Sequence, residues 1–140
     1  MSQENLEVVR GVYSLFGDPD AFRRGEQDDV FLDYFAADYE LIPPPIYPDA
    51  ASSYRGLEGT HEWQRLMDQV WVDWRLQAER FFDAGDQVAV FVRTSGTAKQ
   101  SGAPVEISVA HVFTVLDGLI TRLEVFLDRH EALEAVGLSE

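Results

Sequence analysis

Residues 105–128, VEISVAHVFTVLDGLITRLEVFLD, decide the fold, since they read as two strands joined by a tight turn. Apolar and polar side chains alternate in the first half with the period of two that a strand gives to the faces of a sheet. The dipeptide Asp117-Gly118 is typical of a two-residue hairpin turn. A titratable ring, His111, falls on the more apolar face, and it is either a core histidine with a hydrogen-bond partner or the polar end of a pocket. The other residues of that face are Val105, Ile107, Val109, Phe113 and Val115.

The chain before this hairpin predicts two more strands and a long helix. Residues 75–85 and 86–99 alternate as strands do, with turns at Gly85-Asp86 and Ser101-Gly102. Upstream, six large apolar residues recur at helical spacing and predict the longest helix of the chain. They are Trp63, Leu66, Met67, Val70, Trp71 and Trp74.

Shorter elements complete the order at both ends. A first helix presents one apolar face, a second begins near Asp28 or Asp29, and a short strand over residues 39–42 is ended by three prolines. A last helix is capped by Asp128. Helices followed by strands predict an α+β fold, in which a curved antiparallel sheet wraps around the N-terminal helices and the long helix. Residues 1–140 are expected to form one domain.

Composition excludes several classes of function. The 140 residues carry 11 Lys and Arg against 25 Asp and Glu, a net charge of −14, which argues against nucleic acid or an anionic membrane as partner. No cysteine is present, so disulfides, thiolate catalysis and cysteine zinc sites are excluded. The three histidines lack metal-ligand spacing, so no metal or other cofactor is expected. With neither a signal-type N-terminus nor a membrane-length apolar run, we expect a cytoplasmic protein.

Several phrases in this order resemble the SnoaL-like proteins of the NTF2-like superfamily. The resemblance rests on NLEVVRGVYSLF at 5–16, FLDYFAADYEL at 31–41, YRGLEG at 54–59, and VAHVFTVLDGLITRLEVFLDRHEAL at 109–133. It covers essentially the whole chain. It implies a cone-shaped fold enclosing an apolar pocket, commonly a homodimer, with activities that range from isomerase and cyclase to binding without turnover. A fold used so widely does not name a reaction.

The resemblance to ketosteroid isomerases identifies three positions to inspect. Those enzymes use an Asp base opposite a Tyr and a protonated Asp that bind the oxyanion. By the resemblance, the base position falls on Pro43, the Tyr position on Val12 beside Tyr13, and the protonated Asp position on His111. Standard steroid isomerisation is therefore not expected. His111 is the candidate general acid, general base or hydrogen-bond donor, with a core histidine as the alternative.

Candidate ligand-binding residues come from the inward faces of the predicted elements. Such pockets are lined mainly by apolar and aromatic side chains with a few polar groups. The candidates are Tyr13, Phe16, Tyr39, Tyr54, Trp63, Met67, Arg93, Phe113, Val125 and Leu127.

Three functions stay open from the sequence. The first is a cofactor-free acid–base enzyme (isomerase, cyclase, dehydratase or hydrolase) acting on a small apolar or amphipathic molecule around His111. The second is a carrier with the same pocket and no turnover, and the third is an interaction module. On the opposite strand face, Ala89, Phe91, Ala110 and Val112 are apolar, which predicts a homodimer through the sheet.

Overall fold

The computed structural model describes residues 2–15, 21 and 24–138, and these form four helices and six strands. The longest described helix has 15 residues, and none of the described helices has the length and apolar character to cross a membrane. In chain order the elements are α1 (Ser2–Leu15), α2 (Asp28–Tyr34), β1 (Phe35–Ile42), β2 (Tyr54–Arg55), α3 (Gly56–Val70), β3 (Trp71–Ala84), β4 (Gln87–Ala98), β5 (Pro104–Leu116), β6 (Leu119–Phe126) and α4 (Arg129–Ala135).

The six strands form one mixed sheet in the order β2-β1-β6-β5-β4-β3. Strands β3 to β6 are an antiparallel meander, as predicted, and Asp117-Gly118 turns the β5–β6 hairpin with positive φ at both residues. The expectation of a wholly antiparallel sheet is wrong at one pair, because β1 runs parallel to β6. A parallel pair needs a long connection, and here it contains α3 and the meander.

The inner face of the sheet carries the main core. Val88, Val90 and Val92 are spaced two apart on β4 and are fully buried. They belong to the same cluster as Val9 and Val12 of α1. Full burial of one such side chain contributes about 1.5–3 kcal/mol relative to exposure, so the alternation of β4 holds the helices against this face.

The long helix is shorter than its apolar stripe predicts. α3 ends at Val70, and Trp71 and Val72 pair with Ala98 and Thr97 of β4 as the start of β3. The prediction that Trp71 and Trp74 continue the helix is therefore wrong. Large aromatic and β-branched residues suit a strand as well as a helix stripe, and pairing with β4 decides between them.

The outer face of the sheet is covered by α4. Ala89, Phe91, Ala110 and Val112 are buried there in one cluster with Ala132 and Leu133 of α4. The expectation that these four side chains are exposed is wrong, because the last helix of the same chain packs on them. The homodimer stays a prediction, and these residues no longer support it.

The N-terminus of α4 is held by the predicted cap. Asp128 Oδ1 accepts hydrogen bonds from the backbone N–H groups of His130 (2.8 Å) and Glu131 (3.2 Å). We expect Asp128→Ala to lower the free energy of unfolding by about 1 kcal/mol, because two N–H groups lose their acceptor. Urea denaturation measures the change, with Asp49→Ala in an exposed loop as control. Equal losses in both variants would contradict a capping role.

Candidate functional site

A cavity lies between α3, β1 and the inner face of the sheet. The space open to the centre of a water molecule is about 80 Å³, several times what one water needs. Among the described residues that line it there is no Asp, Glu, Lys or Arg. The lining consists of Tyr39, Leu41, Pro44, Ile46, Tyr47, Thr60, Trp63, Gln64, Met67, Trp74, Leu76, Thr94, Ile107, Val109, His111, Leu123 and Val125.

One wall of this cavity contains His111, which Tyr13 supports from behind. β5 presents His111 inward, where its side chain is 5% exposed, and α1 brings Tyr13 against it from the opposite layer. The Tyr13 hydroxyl lies 2.8 Å from His111 Nδ1. Phe113, two residues further along β5, contacts both rings edge-on. The histidine is therefore both a core residue with a partner and a cavity residue.

Burial keeps both groups of this pair uncharged. It lowers the pKa of His111 to about 4, because a buried imidazolium loses its hydration without gaining a carboxylate partner. Burial raises the pKa of Tyr13 well above its ordinary value, and the neighbouring Tyr39 adds to the rise. At neutral pH the pair is therefore a phenol beside a neutral imidazole.

The pair also assigns the position of the imidazole proton. Among the described residues, His111 is the only hydrogen-bond partner of the Tyr13 hydroxyl. A buried phenol that keeps its proton donates it to the available acceptor, so Tyr13 donates to Nδ1. The ring proton is then on Nε2, and His111 itself lines the cavity. The site therefore offers a neutral N–H donor from His111.

The loop after β1 also lines the cavity. Pro44, Ile46 and Tyr47 of this loop contribute to the lining. Trp71 Nε1 donates to the Tyr47 hydroxyl at 3.2 Å, and the Tyr47 ring meets Trp63 edge-on with centroids 5.5 Å apart. These contacts attach the loop to both α3 and β3.

Five of the eleven predicted site residues line the cavity. Tyr39, Trp63, Met67 and Val125 do so together with His111. Tyr13 and Phe113 lie directly behind His111 and support its ring.

The remaining predicted residues are placed elsewhere. Tyr54 is buried next to Trp63, with ring centroids 5.6 Å apart. Arg93 is exposed and pairs with Glu79 at 2.7 Å. Leu127 follows the end of β6 and is 38% exposed, because the chain turns there toward α4. Phe16 lies outside the described residues.

Five polar lining residues were missed by the sequence reading: Tyr47, Thr60, Gln64, Trp74 and Thr94. Gln64 lies one residue after Trp63 on α3, and its amide donates to Asp68 at 3.2 Å. Thr94 pairs with Ile107 in the sheet and shares its inward face. The inward parity of β4 would have identified Thr94. The alternation of β3 does not predict an inward Trp74, because a bulge in the strand changes which side chains face inward.

No metal centre is formed by the residues that the structure describes. They contain no cluster of three or more His, Cys, Asp or Glu side chains able to hold an ion. His61 instead lies 2.9 Å from Asp28, between α3 and α2.

Comparison with known families confirms the resemblance. The sequence matches the SnoaL-like domain over residues 18–123. The chain belongs to the SnoaL-like family. A search of curated proteins finds no match.

Solved structures of SnoaL-like and NTF2-like proteins share the fold. TerC, co-crystallised with polyporic acid, has a TM-score of 0.71 at 23% identity, over 95% of this chain and 98% of that one. A candidate SnoaL-like polyketide cyclase from Jannaschia sp. CCS1 has a TM-score of 0.69 at 20% identity, over 89% and 85%. An NTF2-like protein from Burkholderia thailandensis E264 has a TM-score of 0.65 at 28% identity, over 84% and 90%. The NTF2-like fold is therefore shown.

Proposed function

We propose that this protein binds a small, largely apolar molecule in its cavity and hydrogen-bonds an oxygen of that molecule through His111 Nε2. The observation that carries the proposal is the Tyr13–His111 hydrogen bond, which presents a neutral N–H donor in an apolar wall. An uncharged lining disfavours a charged ligand group, since burial without a counter-charge is costly. A ketone, quinone or ester oxygen suits this donor.

Two functions make use of this arrangement. A carrier needs only the hydrogen bond and the apolar walls. An isomerase or cyclase uses the donor to stabilise an enolate oxygen, and it also needs a base for the proton of the adjacent carbon. His111 in the assigned tautomer donates at Nε2, so it acts on the oxygen and not on the carbon. The candidate polyketide cyclase among the similar structures supports a substrate with carbonyl oxygens.

We expect the protein to bind 2-acetylnaphthalene about fivefold to tenfold more tightly than 2-isopropylnaphthalene. The two probes have similar shapes, and the ketone adds one hydrogen bond in a buried site. Quenching of tryptophan fluorescence measures both affinities, because Trp63 and Trp74 line the cavity.

The same probe separates the carrier from the enzyme. Proton NMR in D₂O follows the methyl signal of 2-acetylnaphthalene, which disappears if the protein promotes enolisation. If the methyl signal decays no faster with the protein than without it, the protein is a carrier. Equal affinity for the two naphthalenes would contradict the proposed donor.

A further inference from the structure

Trp74 enters the cavity because β3 is irregular near its start. The β3–β4 register passes from Val72 opposite Thr97 to Arg75 opposite Ser95, so Asp73 and Trp74 both lie opposite Gly96. Asp73 adopts a positive φ of 55°, a conformation that few non-glycine residues adopt. Such a bulge reverses the alternation and turns a different side chain inward. Trp71 and Trp74 consequently both face inward although they are three residues apart.

Gly96 provides the space for this arrangement. A Cβ atom at that position would lie 3.1 Å from the Trp71 ring and 3.3 Å from the Trp74 Cα. Those approaches are tighter than ordinary contacts, so a larger residue would displace the bulge. The bulge therefore depends both on the glycine at position 96 of β4 and on the positive φ of Asp73 in β3.

The indole nitrogens of the two tryptophans differ in their partners. Trp71 Nε1 donates to Tyr47. Trp74 Nε1 is buried and has no hydrogen-bond partner among the described residues. Native proteins rarely leave a buried donor unpaired, and each exception needs a physical reason. Trp74 lines the cavity, so a bound ligand would be the source of the missing acceptor.

We propose that Trp74 Nε1 binds a second acceptor of the ligand, so that the ligand is an elongated, largely apolar molecule with an uncharged oxygen near each end. This inference rests on the proposed function, which places the first acceptor at His111. Leu76, two residues after Trp74, pairs with Thr94 of β4, which in turn pairs with Ile107 of β5. Ile107 and His111 are separated by four residues of strand, about 13 Å. The positions of Trp74 and His111 are therefore far apart along the sheet.

A series of four naphthalenes tests the hydrogen bond from Trp74 to the second ligand oxygen. The probes are 2-isopropylnaphthalene, 2-acetylnaphthalene, 2-acetyl-6-isopropylnaphthalene and 2,6-diacetylnaphthalene, of which the last two have similar shapes and differ by one acceptor. Trp74→Phe should weaken binding of the diacetyl probe about fivefold to tenfold and leave the acetyl-isopropyl probe unchanged. Trp71→Phe is the matched control, and it should change both affinities by the same factor. Calorimetry measures the four affinities.

A second readout uses the unaltered protein. The chain has three tryptophans, so three indole N–H signals appear in a nitrogen–proton NMR spectrum. The Trp74 signal should shift downfield with the diacetyl probe and not with the acetyl-isopropyl probe. No difference between these two probes in either readout overturns the inference, while a preference for 2-acetylnaphthalene over 2-isopropylnaphthalene would still support the site at His111. If that preference is also missing, both proposals fail.

Discussion

Replacing His111 with Leu will weaken binding of 2-acetylnaphthalene about tenfold to a hundredfold, because the buried ketone loses its donor and keeps its desolvation cost. Binding of 2-isopropylnaphthalene should change little, since Leu preserves an apolar wall of similar size. The preference between the probes is therefore the quantity to measure. It separates loss of a hydrogen bond from loss of the cavity's shape.

The same substitution also affects stability, through Tyr13. His111→Leu leaves the buried Tyr13 hydroxyl without its acceptor, which costs about 1–3 kcal/mol. The double variant Tyr13→Phe, His111→Leu removes both polar groups and should recover most of that loss. Tyr13→Phe alone keeps the histidine and should retain part of the preference for the ketone.

These variants distinguish a binding role from a packing role. If the double variant folds as stably as the wild type and has lost the preference, His111 serves the ligand. If it keeps the preference, the donor lies elsewhere in the cavity and the proposed contact is wrong. Urea denaturation and fluorescence titration on the same preparations give both quantities.

Lowering the pH from 7 to 4 should destabilise the wild type by about 3 kcal/mol more than the double variant. The pKa of His111 is about 4 in the folded protein and about 6.5 in an unfolded chain. Between these values the unfolded state binds a proton that the folded state does not bind. Stability therefore falls as the pH falls through this window, by up to about 1.4 kcal/mol per pH unit.

The comparison isolates one histidine from the acid titration of the whole protein. The remaining acidic and basic side chains are common to both proteins, so their contributions largely cancel in the difference. Denaturation midpoints at half-unit pH steps give the difference curve. A curve that is flat between pH 7 and 4 would show that His111 is protonated in the folded state as readily as in the unfolded state. Affinity for 2-acetylnaphthalene should stay constant from pH 7 to 5, since the folded imidazole remains neutral there.

The fold and part of the site were predictable from apolar patterns with the period of a strand (two) or of a helix (3.6). The alternation around His111 predicted its inward face, and the order of elements predicted the α+β architecture. The partner of His111 was not identified, because Tyr13 lies 98 residues away and only packing of α1 on the sheet brings the two together. Tyr13 was nevertheless among the candidates, since it lies on the inward face of a predicted helix.

Two features depend on tertiary structure that periodicity does not express. Phe91 and Val112 are buried because α4 packs over the outer face of the sheet. The sequence of a short capped helix does not indicate where that helix will pack. Trp74 faces the cavity only because Asp73 adopts a positive φ opposite Gly96. Because of the bulge, Trp71 and Trp74 are three residues apart, which is also the spacing of an apolar helix face. For this reason the sequence pattern predicts a helix where β3 begins.

The irregular register of β3 has a consequence for the solubility of the protein. β3 is the last strand of the sheet order, so one side of its backbone has no neighbouring strand among the described residues. A long flat edge of this kind offers a template on which another chain can add a strand, and such addition leads to aggregation. Two register shifts, between Val72 and Arg75 and between Ala78 and Arg80, interrupt the 14-residue strand. The backbone distortion that turns Trp74 toward the cavity thus also divides this edge into shorter segments, which form a less regular template for a second chain.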